Sequence, residues 1–208
     1  MTLELYSAYV VATLIVLAVP GPTIMLVISY ALTHGRKSAL ASVMGVGLGD
    51  ATAAAVSLLG LGAVLAASAT AFTVLKWAGA VYLVWLGIKM WRSRPAAIGP
   101  HKVADVPAKT IFWHAYIVTA LNPKGIVFFM AFLPHFIAAQ APIAPQLGLL
   151  GSTFVALGVL NAAIFAMSAA AIGQKFRNPS FLRLVNKIGG GFLISAAAMT
   201  AMLQRSTA

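Results

Sequence analysis

Asp50 is the one acid that falls inside an apolar stretch of this chain; the other two, Glu4 and Asp105, flank such stretches. A carboxylate at the centre of a membrane-spanning helix costs about 2.5–3.5 kcal/mol on insertion scales. By default such a group marks a substrate, ion or proton path. It can also lock helices together as one half of a salt bridge, with Lys76 or Lys124 as the partner. Two further patterns break otherwise helical stretches: Pro20-Gly21-Pro22 and Asn122-Pro123-Lys124-Gly125. A proline inside a helix removes one backbone hydrogen bond and clashes with the carbonyl four residues back. In lipid the freed groups need new partners or a water-lined cavity. An ordinary proline kink would account for one such pattern; two at matching positions point to a site.

Depth brings these residues together. At a rise of ~1.5 Å per residue, Pro22, Asp50 and Asn122 lie ~15 Å from the cytoplasmic helix ends, and Asn161 ~17 Å. The hydrocarbon core is about 30 Å thick, so all four fall near its midplane. Four different spans thus send polar groups to one level. The candidate substrate-binding set is Pro20, Gly21, Pro22, Asp50, Asn122, Pro123, Lys124 and Asn161, with Asp50 also the candidate proton carrier.

Other chemistry finds less support. There are no cysteines, so disulfides, thiolate metal sites and thiol redox reactions are excluded. His34, His101, His114 and His135 fall at different depths, whereas a metal exporter would gather ligands at one level. No serine has a histidine and an acid at matching depth, and no glycine-rich nucleotide loop is present. No metal or cofactor is expected, and transport would run on an existing gradient rather than on ATP.

The elements that position these residues follow from composition. Of 208 residues, 61% are apolar and 8% are charged, too few charges to cover a soluble surface. An all-α integral membrane protein is expected, with six spans at about 5–32, 40–66, 70–91, 112–138, 146–172 and 181–203. Each has the roughly 20 residues that crossing a bilayer requires. Arg183 and Lys187 interrupt the start of the sixth, and both can snorkel to the interface. Met1 to Glu4 carries an acid and no Lys or Arg, and no small-residue cleavage site follows, so the first stretch is expected to be retained.

The net charge of +11 would suggest nucleic acid in a soluble protein. Here the charges flank apolar spans, so no nucleic-acid partner is expected. Segments 33–39, 89–109 and 173–187 lie on one side and hold 11 of the 14 basic residues, whereas the opposite connections near 66–70 and 139–146 hold none. The Lys/Arg bias puts the first set in the cytoplasm and both termini outside. Trp91 and Trp113 fit interfacial anchoring. The proline- and glycine-containing stretch 93–111 is a cytoplasmic linker within a single domain, 1–208, joining halves at about 1–92 and 112–208.

These halves resemble each other. Gly79, Tyr82 and Leu83 match Gly189, Phe192 and Leu193 at one constant offset. Short glycine–aromatic matches also arise by chance in apolar helices. Three spans per half would make the second half enter with opposite orientation, a 3+3 inverted repeat with spans one and four broken. Paired halves with Pro/Gly-interrupted spans are the best sequence pointer to a transporter site. Gly45 and Gly49 share four-residue spacing with Ala41 and are expected to pack against a broken helix, as small residues allow. Gly79, Gly189 and Gly190 are read the same way.

The chain resembles the LysE/RhtB family of bacterial amino-acid exporters over nearly its whole length. The resemblance rests on Pro20-Gly21-Pro22, on Gly45, Gly49 and Asp50, and on the run Lys76…Gly79…Tyr82-Leu83…Gly87. It rests further on Asn122-Pro123-Lys124 with Phe128-Phe129 and Phe132-Leu133-Pro134-His135-Phe136, and on Asn186-Lys187-Ile188-Gly189-Gly190. At the position of His135 the family often has Gln. The resemblance implies a multi-pass exporter in the bacterial inner membrane, driven by the proton gradient. Its substrates would be threonine, homoserine, homoserine lactone or similar compounds. Its partners would be the amino-acid substrate, protons and the lipid bilayer, with a homo-oligomer open.

On that expectation, backbone N–H groups at the two breaks face a substrate carboxylate, Lys124 adds positive charge, and Asp50 meets the ammonium or carries the proton. A membrane enzyme or assembly factor acting on a lipid, a metal-ion exporter and a passive channel are the alternatives.

Overall fold

The protein is described by a computed structural model covering residues 1–93, 106–138, 141–176 and 178–203. Helix α1 (Leu3–Ala18) starts at Thr2, whose hydroxyl accepts from the Leu5 N–H at 3.3 Å. It stops where Val19 turns extended, because Pro20 and Pro22 have no N–H to continue it. Pro22 then opens α2 (Pro22–Ala67), at a first-turn position where a missing N–H costs nothing. α1 and the first arm of α2, Pro22–Gly35, meet at 56°. The second arm, Lys37–Val64, follows after Gly35, whose φ of 73° is relaxed only for glycine. Next come α3 (Ala69–Arg92) and α4 (Ala108–Ala120).

A second break follows at Leu121 and Asn122, before α5 (Pro123–Val127). One wide π-helical turn (Phe128–Phe132) and one tight 3-10 turn (Leu133–Phe136) complete that stretch. Pro134 has no N–H to offer the Met130 carbonyl, so a regular α-helix cannot run on. The wide turn closes with the Leu133 N–H on the Phe128 carbonyl. α6 (Ile143–Phe176) and α7 (Pro179–Leu203) end the described fold.

The expected stretches 5–32 and 112–138 are therefore each two helical pieces around a break. Most helix ends run past the expected limits, although the stretch expected to reach 138 ends at Phe136. α4 begins at Ala108, inside the expected linker, and α6 continues to Phe176. Apolar patterning reports the depth of the hydrocarbon, whereas helices run on through the interface. Residues 94–105 of the linker lie outside the described residues.

The apolar surface faces outward as well as inward. Leu40, Met44, Leu48, Val56 and Leu59 of α2 are all exposed, a face that only lipid would cover. Lys37–Val64 and Ile143–Ala169 are each long and apolar enough to span a bilayer, and the bent pair Leu3–Ala18 with Pro22–Gly35 makes a third. The second arm of α2 runs through the centre. A Cβ at Gly45 would meet the Phe112 carbonyl, and one at Gly49 would lie 2.8 Å from the Tyr116 carbonyl, so both press on α4. On its other side, Cβ atoms at Gly47 and Gly151 would lie 2.8 and 2.7 Å from Val159 and Leu58, bringing α6 close.

Candidate functional site

In an α-helix the carbonyl of residue i accepts from the N–H of residue i+4. Val16 and Ala18 would look to Pro20 and Pro22, which have none. The break thus exposes carbonyls at the C-terminal end of α1, where the helix dipole is negative. Two distant side chains answer. Lys124 Nζ donates to the Val16 carbonyl at 3.0 Å and to the Val19 carbonyl at 2.9 Å. Asn161 Nδ2 donates to the Leu17 carbonyl at 3.1 Å.

The second break is built around Asn122. Its Oδ1 accepts from the Lys124 N–H at 3.1 Å, capping α5, and its Nδ2 donates to Thr23 Oγ1 at 3.2 Å. Thr119 Oγ1 donates to the same Thr23 oxygen at 3.4 Å. Thr23 therefore ties the two breaks together.

Asp50 sits opposite. Its carboxylate lies against the bare Cα of Gly158, where a Cβ would collide with Oδ2. It accepts no hydrogen bond from the described residues. It forms no contact ion pair with Lys124, whose ammonium is committed to the two carbonyls. Asp50, Asn161, Gly21, Thr23, Asn122, Lys124, Phe154 and Gly158 line a cavity of about 30 Å³. That space has room for a few waters at most and is too small for an amino acid.

A second space adjoins it. A vestibule of about 520 Å³ is lined by Pro20, Pro22, Pro123, Tyr82, Trp85 and Lys89, and reaches Ser93 and Asn186. Gly21, Asn122 and Lys124 border both spaces and form the partition between them. Beyond the small cavity, on the side of the α1 N-terminus, the path is closed. Tyr9, Phe128, Phe129, Phe132, Phe136 and Phe154 pack into one buried aromatic cluster, and the Tyr9 hydroxyl donates to the Leu150 carbonyl at 2.8 Å. A larger pocket of about 620 Å³ between Gly35 and α6 is lined by apolar and small side chains and has nothing to hold a polar solute.

All eight candidate residues thus border one of two adjoining spaces. Some details differ from expectation. Lys124 stands on the α1 carbonyls rather than beside a carboxylate cradle. The α5 N-terminus is capped by Asn122 itself, whereas Gly21 caps α2 without a side chain. The side chain of Lys76, on α3, lies outside the described residues. Gly79 is half-buried on α3, and one close α3–α7 approach falls at Gly87, whose Cβ would lie 2.7 Å from the Gly190 carbonyl; the packing expected at Gly79 itself stays an expectation. Gly189 packs on Val19. Gly158, Thr23 and Phe154 escaped the sequence reading. One signal was available: Gly158…Asn161 in α6 repeats the spacing of Gly47…Asp50 in α2.

Helices clad in apolar side chains, two of the helical stretches broken, and polar groups gathered at the breaks define a helical membrane transporter. Residues 14–204 match the LysE type translocator family, and the chain belongs to it. It is therefore a translocator and not an enzyme. The chain is similar to a homoserine/homoserine lactone efflux protein of Salmonella typhimurium, 33% identical over 97% of this chain and 98% of that one. It is 31% identical to an uncharacterized membrane protein of Vibrio cholerae, with the same coverage. A leucine efflux protein of Enterobacter is 27% identical over 95% of each chain. No solved structure matches.

Proposed function

We propose that the protein exports neutral amino acids or close derivatives, such as threonine, homoserine or homoserine lactone, across the bacterial inner membrane against uptake of protons. One observation carries this reading: an unpaired carboxylate and a set of helix-end carbonyls share a buried cavity with the uncapped N-terminus of α2. Cation-seeking and anion-seeking groups border one small space, which must widen to admit a zwitterion. A single acid suits one ammonium better than two. The relatives named for homoserine lactone and leucine efflux support the same class.

Six spans in a 3+3 inverted repeat are the arrangement we infer. The α3–α7 contact supports it. Under the constant offset that matches Leu83 to Leu193, Ala80 corresponds to Gly190 and Gly87 to Ala197. Ala80, Leu83, Leu193 and Ala197 form one cluster, and Gly87 meets Gly190. The crossing thus maps onto itself about the Leu83/Leu193 level. With both termini outside, the vestibule opens to the cytoplasm and the aromatic cluster closes the periplasmic side, an inward-facing arrangement. Cysteines placed singly at positions 2, 67, 100, 142 and 207 test the orientation, since the native chain has none. Position 100 is expected to react with an impermeant reagent only from inside, and position 142 only from outside. The reverse pattern would reject the topology.

Purified protein in proteoliposomes, offered a panel of labelled amino acids under an imposed pH gradient, tests the activity. Accumulation of a neutral amino acid or its lactone that collapses with the gradient is expected. Equal flux with and without the gradient would make the protein a passive channel, and no flux of any member would reject the reading.

A further inference from the structure

The hydrogen bonds of Lys124 carry more than local repair. A lysine side chain ends in a primary ammonium, the same group that an amino acid carries on its α-carbon. Here that ammonium lies caged between backbone carbonyls left without helical partners where α1 stops at Val19. Val16 and Val19 hold it at 3.0 and 2.9 Å. Asn161 already satisfies the intervening Leu17 carbonyl, leaving the cage to a single cation. Asp50 faces the same cavity with no hydrogen bond of its own. The Lys124 side chain is also part of the wall that separates the 30 Å³ cavity from the 520 Å³ vestibule.

We propose that the Val16 and Val19 carbonyls form a primary-ammonium site, filled in this structure by Lys124, which the ammonium of a transported substrate takes over as Lys124 withdraws. The naming of the natural occupant rests on the exporter reading; the site itself does not.

Three consequences follow from the geometry. Withdrawal of one side chain joins the two spaces, so loading the site and opening the partition are one event. The exchange replaces one cation by another in a cage of fixed dipoles, so no bare charge is left in the low-dielectric interior. The displaced ammonium stays tethered beside the cavity that Asp50 also lines. Selectivity also follows. Two carbonyls, with Asp50 beside them, call for a donor with several N–H bonds. N-acylated compounds, which lack the ammonium, are excluded.

The test uses Lys124→Cys in the full-length protein, where the new thiol is the only one. Thermal unfolding in detergent is followed in methylammonium chloride, tetramethylammonium chloride and sodium chloride at equal ionic strength. Methylammonium at about ten times its dissociation constant is expected to raise the midpoint of the variant by roughly 4 °C, as a ligand that binds only the folded state does. Tetramethylammonium has no N–H and is expected to do nothing. Wild type, with the site filled, is expected to show no shift. Treating the variant with 2-aminoethyl methanethiosulfonate rebuilds a tethered ammonium and should abolish the methylammonium effect, whereas methyl methanethiosulfonate should not. Lys124→Met, which keeps the stem, is the second arm and should behave as the untreated cysteine variant.

Equal shifts in wild type and variants, or none in either, overturn the proposal. Failure of both variants to fold even in methylammonium also overturns it, because the site would then not accept a free ammonium. These readouts need no transport. Loss of the exporter reading would appear in the flux panel with the methylammonium result intact.

Discussion

Asp50→Asn is expected to abolish export driven by a pH gradient, down to the level of protein-free vesicles, while sparing exchange of substrate for substrate. The carboxylate lies in the small cavity against Gly158 with no hydrogen bond of its own. Its shape therefore does little to hold neighbouring helices, and asparagine fits the same space. What asparagine cannot do is load and release a proton. Net export needs that step in each cycle; exchange returns the carrier still loaded and does not. Both fluxes are measured in proteoliposomes at matched protein content. Undiminished gradient-driven export by Asp50→Asn would leave Asp50 with a structural role alone. Loss of protein from the membrane, with normal flux per remaining molecule, would lead to the same conclusion.

Gly158→Ala should remove most export while leaving the fold intact, the second large effect. A Cβ there collides only with the far end of the Asp50 side chain. A carboxylate can rotate away, so the α2–α6 contact survives while the acid leaves its place. Gly49→Ala is the folding control. Its Cβ would lie 2.8 Å from the Tyr116 carbonyl and 3.1 Å from the Ala120 nitrogen, backbone atoms that cannot step aside. Overpacking of this kind costs about 1–3 kcal/mol, so that variant should unfold at a lower temperature. Gly158→Ala should unfold near the wild-type temperature with little gradient-driven flux. Added to Asp50→Asn it should leave the surviving substrate exchange unchanged, because both act through one side chain. An additive loss would mean that Gly158 serves helix packing and not the carboxylate.

Composition and the run of apolar residues were enough to establish an all-helical membrane protein. Proline and asparagine placement located the two breaks within a residue or two. Both are local consequences: hydrocarbon demands apolar side chains along the chain, and a missing N–H interrupts a helix wherever it occurs. Counting residues from the helix ends even brought Asp50, Asn122 and Asn161 to one depth. Which group meets which was a different matter. Lys124 was legible as a positive charge near the site. That it grips the Val16 and Val19 carbonyls depends on how α5 lies against α1, more than 100 residues apart in the chain. Gly158 was one glycine among 18 until α6 packed on α2 and set it beneath the Asp50 carboxylate. The aromatic closure around Tyr9 likewise exists only because a π turn and a 3-10 turn aim Phe128, Phe132 and Phe136 at one place. Partners distant in the chain are chosen by packing, and in a membrane nearly every outward face is equally apolar. Hydrophobicity therefore leaves the pairing open, and close backbone approach at glycines, together with carbonyls that need a donor, decides it.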